Sequence, residues 1–430
     1  MNDPQQIRCD VAVVGGGPTG IAAATVAAES GKSVVLLDDN PNLGGQIWRG
    51  GAKIAKGSAG QWFARLAKTS ARHISSATVF HAEGNTLFAE VRGQIAEVIA
   101  EKIIFATGSR ERFLPFPGWT LPNVMGAGAF QALLKSGLPV AGKRIVIAGT
   151  GPLLLAVAAY AFQSGANVVC IAEQTSWPRF LRFGFSAAIL QRKFGETFAL
   201  LRTLRGIPHY KNCWPVAASG KTFVESVRLL HNGATKETPC DYVACGFNLV
   251  PSTELAELLE CQLSAGFVAT NDFQQTSQPH VFCAGEPTGI GGVELSLLEG
   301  AIAGYAAAGQ TAAAKKLFRR RNSARRNVRA ITSAFALRDE LKSLAQPETL
   351  FCRCEDVPFE RLRNHDSWRA AKLHTRCGMG PCQGRVCGSA AEFLFGWDTG
   401  TPRPPLFPVT CASLSQTFSQ SGVVNAQGDS

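Results

Sequence analysis

The sequence predicts an α/β chain: two domains built around glycine turns, then a small helical domain rich in cysteine. Three observations predict it. A strand, glycine turn, helix and second strand run from Cys9 to Asp38. The same pattern returns about 130 residues later, between Lys143 and Glu173. Five of the 13 cysteines then fall between Cys352 and Cys387.

A chain of 430 residues holds two to four domains at roughly 100–200 residues each. With 46% hydrophobic and 17% charged residues it is neither disordered nor a disulfide mini-scaffold. Its 44 glycines have no three-residue period, which excludes collagen. No apolar run reaches the ~18 residues of a membrane-spanning helix. The formal charge is +11, but eight basic residues and no acids lie between Lys315 and Arg329, which leaves +3 for the rest. That segment reads as a solvated helix. Without interleaved aromatic residues it gives no ground for nucleic-acid binding. A strand pattern starts almost at the N-terminus, with no charged-then-apolar leader before it. The expectation is a cytoplasmic protein with reduced thiols, in which clustered cysteines hold metal.

The elements follow in order. Cys9 to Val14 is a β-branched apolar strand. Gly15-Gly16-Gly17-Pro18-Thr19-Gly20 is the turn, and Ile21 to Ala28 an alanine-rich helix ended by Gly31. Ser33 to Leu37 is the next strand, closing on Asp38. Alternation over Ala89 to Ile99 reads as antiparallel hairpins. The second unit has a strand at Arg144 to Ala148, the turn Gly149-Thr150-Gly151, a helix from Pro152 to Ser164 and a strand from Asn167 to Glu173. Tyr242 to Cys245 and Val281 to Ala284 are strand-like. A basic helical connector spans about Thr311 to Leu344, and the last ten residues read as mobile. The expected domains are 1–115 with 245–312, 116–244, the connector 313–350, the cysteine domain 351–400 and a tail 401–430.

The first turn is Gly15-x-Gly17-x-x-Gly20. Gly15 allows the sharp turn, Gly17 lets a pyrophosphate approach the backbone, and Gly20 lets the helix pack on the strand. The helix N-terminus offers N–H groups and partial positive charge to phosphate. Asp38 is placed to accept from a ribose hydroxyl. The second turn departs from this rule. Leu154 occupies the third glycine position and should hold the helix away from the strand or force different packing. Its candidate ligands are Gly149, Gly151 and Glu173, for NAD(P), another nucleotide such as ATP, or nothing.

Two further segments bear on the first site. Ile103 to Gly108 is a buried strand ending in a small-residue turn, with Thr107 and Gly108 at its tip. Val281 to Glu286, then Gly289-Ile290-Gly291-Gly292 and a helix from Val293, resembles the distal FAD motif of flavoproteins with two dinucleotide-binding domains. There the acid after the Ala-x-Gly turn binds the ribityl chain, which points to Gly285 and Glu286. Glu286 stands where aspartate is more usual. The helix N-terminus at Gly292 and Val293 would face the flavin. Gly44-Gly45-Gln46 also matches the family pattern, adding Gly45 and Gln46. No C-x-x-C occurs in the chain, which argues against a disulfide reductase.

Cys352-Arg353-Cys354 and Cys382-Gln383-Gly384-Arg385-Val386-Cys387 are two thiol pairs suited to a tetrahedral metal. Glycines 378, 380 and 384 let N–H groups face sulfur, and Arg353, Arg376 and Arg385 offset negative charge. Zinc would also fit. The flavin context favours a [2Fe–2S] cluster, which passes electrons singly. Cys377 is a fifth thiol, a candidate substitute for Cys382 or Cys387. The C-x-C spacing resembles ferredoxin domains of the bacterioferritin-associated type.

As a whole the chain resembles the FAD-containing A or alpha subunits of heteromeric amine dehydrogenases. These are opine oxidases, proline and D-hydroxyproline dehydrogenases, and the flavoprotein subunit of hydrogen cyanide synthase. Besides the segments above, Ala106-Thr107-Gly108-Ser109-Arg110-Glu111-Arg112, Pro115-Phe116-Pro117-Gly118-Trp119 and Thr375-Arg376-Cys377-Gly378-Met379-Gly380-Pro381-Cys382 carry the likeness. It implies two Rossmann-like domains of the FAD/NAD(P)-linked reductase type and a small iron–sulfur domain. It also implies oxidation of an amino or imino acid C–N bond on an amino-acid-oxidase-like beta subunit, and a further partner in a small ferredoxin-like subunit. This chain would then relay electrons through FAD and the cluster. The rival readings are a self-contained NAD(P)H-dependent reductase and a non-catalytic iron–sulfur sensor or assembly factor.

Overall fold

A computed structural model describes residues 5–51, 56–178, 202–400 and 402–418. The tail 421–430, expected to be mobile, lies outside the described residues. The chain divides into two compact units. One comprises Met1–Ser109, Pro251–Ala324 and Thr401–Ser430, the other Arg110–Val250 and Arg325–Gly400. No helix among the described residues is long and apolar enough to cross a membrane.

The first unit is built on one seven-stranded sheet. Its strands are β1 (Gln5–Val14), β2 (Val34–Asp38), β3 (Arg72–Ser75), β4 (Ala77–Glu83), β5 (Thr86–Val91) and β6 (Gln94–Phe105), with Val281–Cys283 as the seventh. The spatial order is β3-β2-β1-β6-β5-β4. β6 is the hinge of this order. One side runs parallel to β1 over nearly its whole length. The other side pairs antiparallel with β5 at its beginning and parallel with Val281–Cys283 at its end. Strands distant in sequence therefore finish at the same edge as the first glycine turn.

The first helix, Pro18–Glu29, begins with proline, whose missing N–H costs nothing in the first turn. Its residues from Pro18 to Ala27 are all buried. Small side chains make this possible, because the helix Gly292–Ala307 meets it almost backbone to backbone. A Cβ at Gly300 would collide with the carbonyl of Thr19, and one at Gly304 with that of Ala23.

The second unit has a five-stranded parallel sheet. Its order is His209–Lys211, Asn167–Glu173, Arg144–Gly149, Tyr242–Gly246 and Val124–Gly126. An antiparallel sheet of Cys213–Ser219, Ser226–His231 and Ala234–Pro239 accompanies it. The helix Ala127–Lys135 has no capping side chain of its own. Glu111 fills that role from a distant strand, accepting from the N–H groups of Gly128 at 2.6 Å and Ala129 at 3.0 Å. The cysteine segment packs in this unit around Phe351, Trp368, Ala391 and Trp397. It is tied down by the Trp119 indole N–H on the Leu350 carbonyl and by Arg112 on Glu392 at 2.8 Å.

The basic stretch forms the helix Thr311–Ala334, shorter than the expected Thr311 to Leu344. It stops because the next carbonyls are taken by side chains of the second unit. Thr150 Oγ1 donates to Phe335 O at 3.3 Å, and Gln174 Nε2 to Ala336 O at 3.2 Å. A 3-10 turn follows at Asp339–Ser343.

The helix contact gives a direct test. Gly304→Leu should destabilise the chain by about 1–3 kcal/mol in chemical denaturation, because the neighbouring backbone has nowhere to move. Leucine at the exposed Ala312 should change it by less than ~0.5 kcal/mol. An unchanged midpoint for Gly304→Leu would refute the close approach.

Candidate functional site

The first glycine turn sits at the end of β1. Gly15 has φ +105°, and a Cβ there would overlap the Ala106 carbonyl. Its N–H donates to Leu37 O at 2.8 Å. A Cβ at Gly20 would overlap the Gly15 carbonyl, so turn and helix are pressed together. Gly17 differs from both: among the described residues, a Cβ there would meet nothing within 4 Å. The space in front of Gly17 is the cradle a phosphate needs. No side chain caps the helix, although Gly17 is its N-cap. Asp38 is nearly buried. Its Oδ2 accepts from the Gly16 N–H, and its Oδ1 from the Asn40 N–H at 2.9 Å. A carboxylate has about four acceptor positions, so two remain for a ribose.

The other predicted residues gather on this turn from separate segments. Gly44 N–H donates to Gly16 O at 2.7 Å, and Gly45 lies against Gly17. Gln46 Oε1 accepts from Arg49 at 3.2 Å. Ala106 N–H donates to Val14 O at 2.8 Å, which places Thr107 and Gly108 beside the turn. Thr107 Oγ1 donates to Ser252 O at 2.6 Å. Gly285 packs on the Thr19 side chain. Glu286 opens a short 3-10 turn and accepts from the Ser109 hydroxyl. Burial pushes its carboxyl above the ordinary carboxylate range, against the Ser109 hydrogen bond. Gly292 and the exposed Val293 start the long helix, which has no capping side chain among the described residues.

One residue of this site escaped the sequence reading. Glu299 is 1% exposed and holds the distal loop together. Its Oε2 accepts from Gly285 N–H and from Thr288 Oγ1, both at 3.1 Å. The only signal is an acid inside an apolar helix, a pattern that demands a partner.

The second turn resembles the first at its opening glycine but not beyond it: Gly151 has φ +94° where Gly17 has −73°, and the helix starts one position later, at Leu153. A Cβ at Gly149 would overlap the Gly246 carbonyl, and Gly151 faces open space. Glu173 Oε2 accepts from Gly151 N–H and Oε1 from Thr175 N–H, both at 2.9 Å. Leu154 does not push the helix away. It is buried in the core beside Gly246, where the missing side chain leaves room for it. Around this turn Gln174 is fully buried, and its amide donates to Thr150 Oγ1 at 2.9 Å.

The cysteine centre lies between the short strand Leu350–Cys352 and the helix Cys387–Phe395. The sulfurs of Cys352, Cys377 and Cys387 all lie within 4.8 Å of one another, and all three residues are buried. Cys382 is part-exposed and Cys354 exposed. Cys382 hydrogen-bonds the thiols of Cys387 and Cys354. Gly378 N–H faces the Cys352 sulfur, and Gly384 N–H that of Cys382. Trp368 forms the floor: a Cβ at Gly378 or Gly384 would press on its ring. Of the three arginines, Arg376 pairs with Glu355 at 2.8 Å, and Arg385 reaches Cys382 O at 3.4 Å. Thiol hydrogen bonds from Cys377 and Cys387 hold Cys352 down to about 2. The Cys387 thiol holds Cys382 down to about 5. Soft sulfur donors with backbone N–H support fit a thiolate-bound metal, iron–sulfur or zinc.

The first unit therefore fits a dinucleotide, and the second carries a thiol centre. A profile described as pyridine nucleotide-disulphide oxidoreductase matches residues 9–312. The A-type subunit of opine oxidase from Rhizobium meliloti is 29% identical, over 95% of this chain and 87% of its own. The hydrogen cyanide synthase subunit HcnB of Pseudomonas aeruginosa is 31% identical, over 92% of this chain and 96% of its own. The crystal structure of L-proline dehydrogenase from P. horikoshii superposes with a TM-score of 0.64 at 17% identity. It covers 96% of this chain and 81% of that one.

Thiol labelling tests the electrostatics of the metal-free chain. Iodoacetamide should modify Cys354, Cys382 and Cys411 before Cys245 and Cys283, which burial excludes. The Cys382 rate should stay level between about pH 8 and pH 6 and fall only near 5, because the thiolate is the reactive form. Mass spectrometry of each peptide reads the result. A Cys382 rate that falls tenfold per pH unit below pH 8 would contradict the depressed value.

Proposed function

The chain belongs to the pyridine nucleotide-disulphide oxidoreductase family and is an FAD-dependent oxidoreductase; from this premise we propose that it is the electron-transfer subunit of a heteromeric dehydrogenase or oxidase. The complex acts on the C–N bond of an amino or imino acid, of opine, proline or D-hydroxyproline type. Substrate is oxidised on an amino-acid-oxidase-like beta subunit, and a small ferredoxin-like subunit is a further partner. The observation that carries this reading is the pairing, in one chain, of an open dinucleotide cradle at Gly17 with a five-cysteine centre at 352–387. The names of the relatives, which are subunits, support it.

Gly15, Gly17, Pro18, Thr19 and Gly20 would hold the FAD pyrophosphate, with Gly45 and Gln46 closing over it. Asp38 would accept from the ribose. Glu286, which accepts from the Ser109 hydroxyl, would serve the ribityl chain. Thr107, Gly108 and Gly285 would line the flavin side. The helix end at Gly292 and Val293 would stabilise negative charge there. Cys352, Cys354, Cys382 and Cys387 would hold a [2Fe–2S] cluster. Bound, FAD takes up electrons in pairs, and the cluster passes them singly.

Co-purification of the chain with its native partners tests this, by identifying bound subunits, FAD and iron. NADH should leave the flavin of the isolated chain oxidised. Rapid bleaching by NADH alone would instead favour a self-contained reductase. The two turn glycines separate binding from folding. Gly17→Leu should abolish FAD occupancy while lowering the unfolding free energy of the apoprotein by about 1 kcal/mol or less, the cost of leucine at an N-cap, since a Cβ there meets no described atom within 4 Å. Gly15→Leu should cost stability outright, through both its φ and the Ala106 carbonyl. FAD retained in Gly17→Leu would sink the cradle assignment.

A further inference from the structure

The five clustered thiols are not equivalent. Cys354 and Cys382 form the outer, accessible pair, joined by a thiol hydrogen bond. Cys352, Cys377 and Cys387 form an inner triad with 1%, 0% and 2% exposure. Their sulfurs lie within 4.8 Å of each other. A [2Fe–2S] cluster takes four thiolates, two on each iron. The outer pair would supply one iron, which would leave three thiols for the two positions of the inner iron. Resting on the iron–sulfur reading above, we infer that Cys377 is a resident spare ligand of the inner iron. It takes over when Cys352 or Cys387 is lost, and it has no part in replacing the outer pair.

The geometry supports the exchange without refolding. Cys377 already touches both inner thiols through S–H···S hydrogen bonds. Its backbone is fixed: Thr375 Oγ1 accepts the Cys377 N–H at 3.2 Å, and the next residue, Gly378, is seated on Trp368. In the exchange the Cys377 proton leaves to solvent, and its sulfur forms the iron bond that residue 387 no longer makes. No electron moves, and the charge of the centre is unchanged. Among the described residues Cys354 has no such neighbour in reserve. It lies outside the mutually close triad, and its Cβ packs on the backbone of Gly380.

Alanine variants of the full chain, purified anaerobically, test this, because alanine cannot ligate iron in place of cysteine. Iron and acid-labile sulfide per chain, with visible circular dichroism, are the readouts, and FAD content with far-UV circular dichroism reports folding. Cys377→Ala should keep the wild-type iron content of about two per chain and an unchanged spectrum. Cys387→Ala should keep at least half of that iron with a shifted visible spectrum. The Cys377→Ala, Cys387→Ala double variant and Cys354→Ala should each lose iron at least tenfold. Cys352→Ala makes the same comparison on the other inner thiol, should Cys387→Ala fail to fold. Loss of iron in a folded Cys387→Ala as complete as in the double variant would overturn the inference, as would loss in Cys377→Ala alone. Wild-type chain that holds zinc and no iron would sink the iron–sulfur reading instead.

Discussion

The first unit depends on backbone touching backbone around the first helix. Gly15 meets the Ala106 carbonyl, Gly20 meets Gly15, and Gly300 and Gly304 meet Thr19 and Ala23. None of these approaches tolerates a Cβ, so none can be replaced by side-chain packing. Their effect is to bring segments near residues 15, 44, 107 and 285 to the end of a single strand, β1. A site assembled from such distant segments needs a rigid frame, since each contributes only one or two groups. The glycine contacts supply that frame without occupying the space in front of Gly17. Stability and an open cradle thus come from the same residue type in two settings, one crowded and one empty.

Much of this was legible in the chain, because glycine spacing and strand alternation are local signals. The α/β architecture, the helix after Gly17 and the position of Asp38 at the end of β2 all follow from them. What was not legible depends on partners far away. Glu299 and Glu111 are acids whose roles appear only when their acceptor oxygens meet N–H groups of other segments. The early end of the basic helix at Ala334 has the same origin. Nothing in residues 335–344 forbids a helix, but Thr150 and Gln174 compete for the carbonyls that would continue it. Local propensity lost to buried side-chain hydrogen bonds, which are costly to leave unmade.

Leu154 shows why a motif rule is a statement about space rather than about residue identity. The third glycine of such a turn exists to let a helix approach a strand. In the second unit the missing volume comes from Gly246 on the neighbouring strand, and Leu154 fills it. Gly151 still faces open space among the described residues and Glu173 is still bound to the turn backbone, although Gly151 takes a positive φ and the helix starts one position later than in the first unit. The departure from pattern therefore goes with different packing beneath the turn and a helix that starts at Leu153, one position later than its counterpart.

The cysteines carry the same lesson in electrostatic form. Cys170 is pushed up to about 11 and Cys213 and Cys240 to about 12, chiefly by burial. These thiols are small apolar residues at neutral pH. At residues 352–387 burial is comparable for Cys352, yet that thiol is held far below its ordinary value. The difference is the company. Neighbouring thiols donate to its sulfur, and the Gly378 N–H points at it, so charge is better solvated inside the loop than burial alone would allow. Such an arrangement is poor as a plain core, since it gathers polarisable groups that compete for protons. It is consistent with a loop shaped to hold thiolates. The tight turns at Gly378 and Gly384 over Trp368 then become intelligible: they bring N–H groups to sulfur, and a side chain at either position would break the seat that aims them.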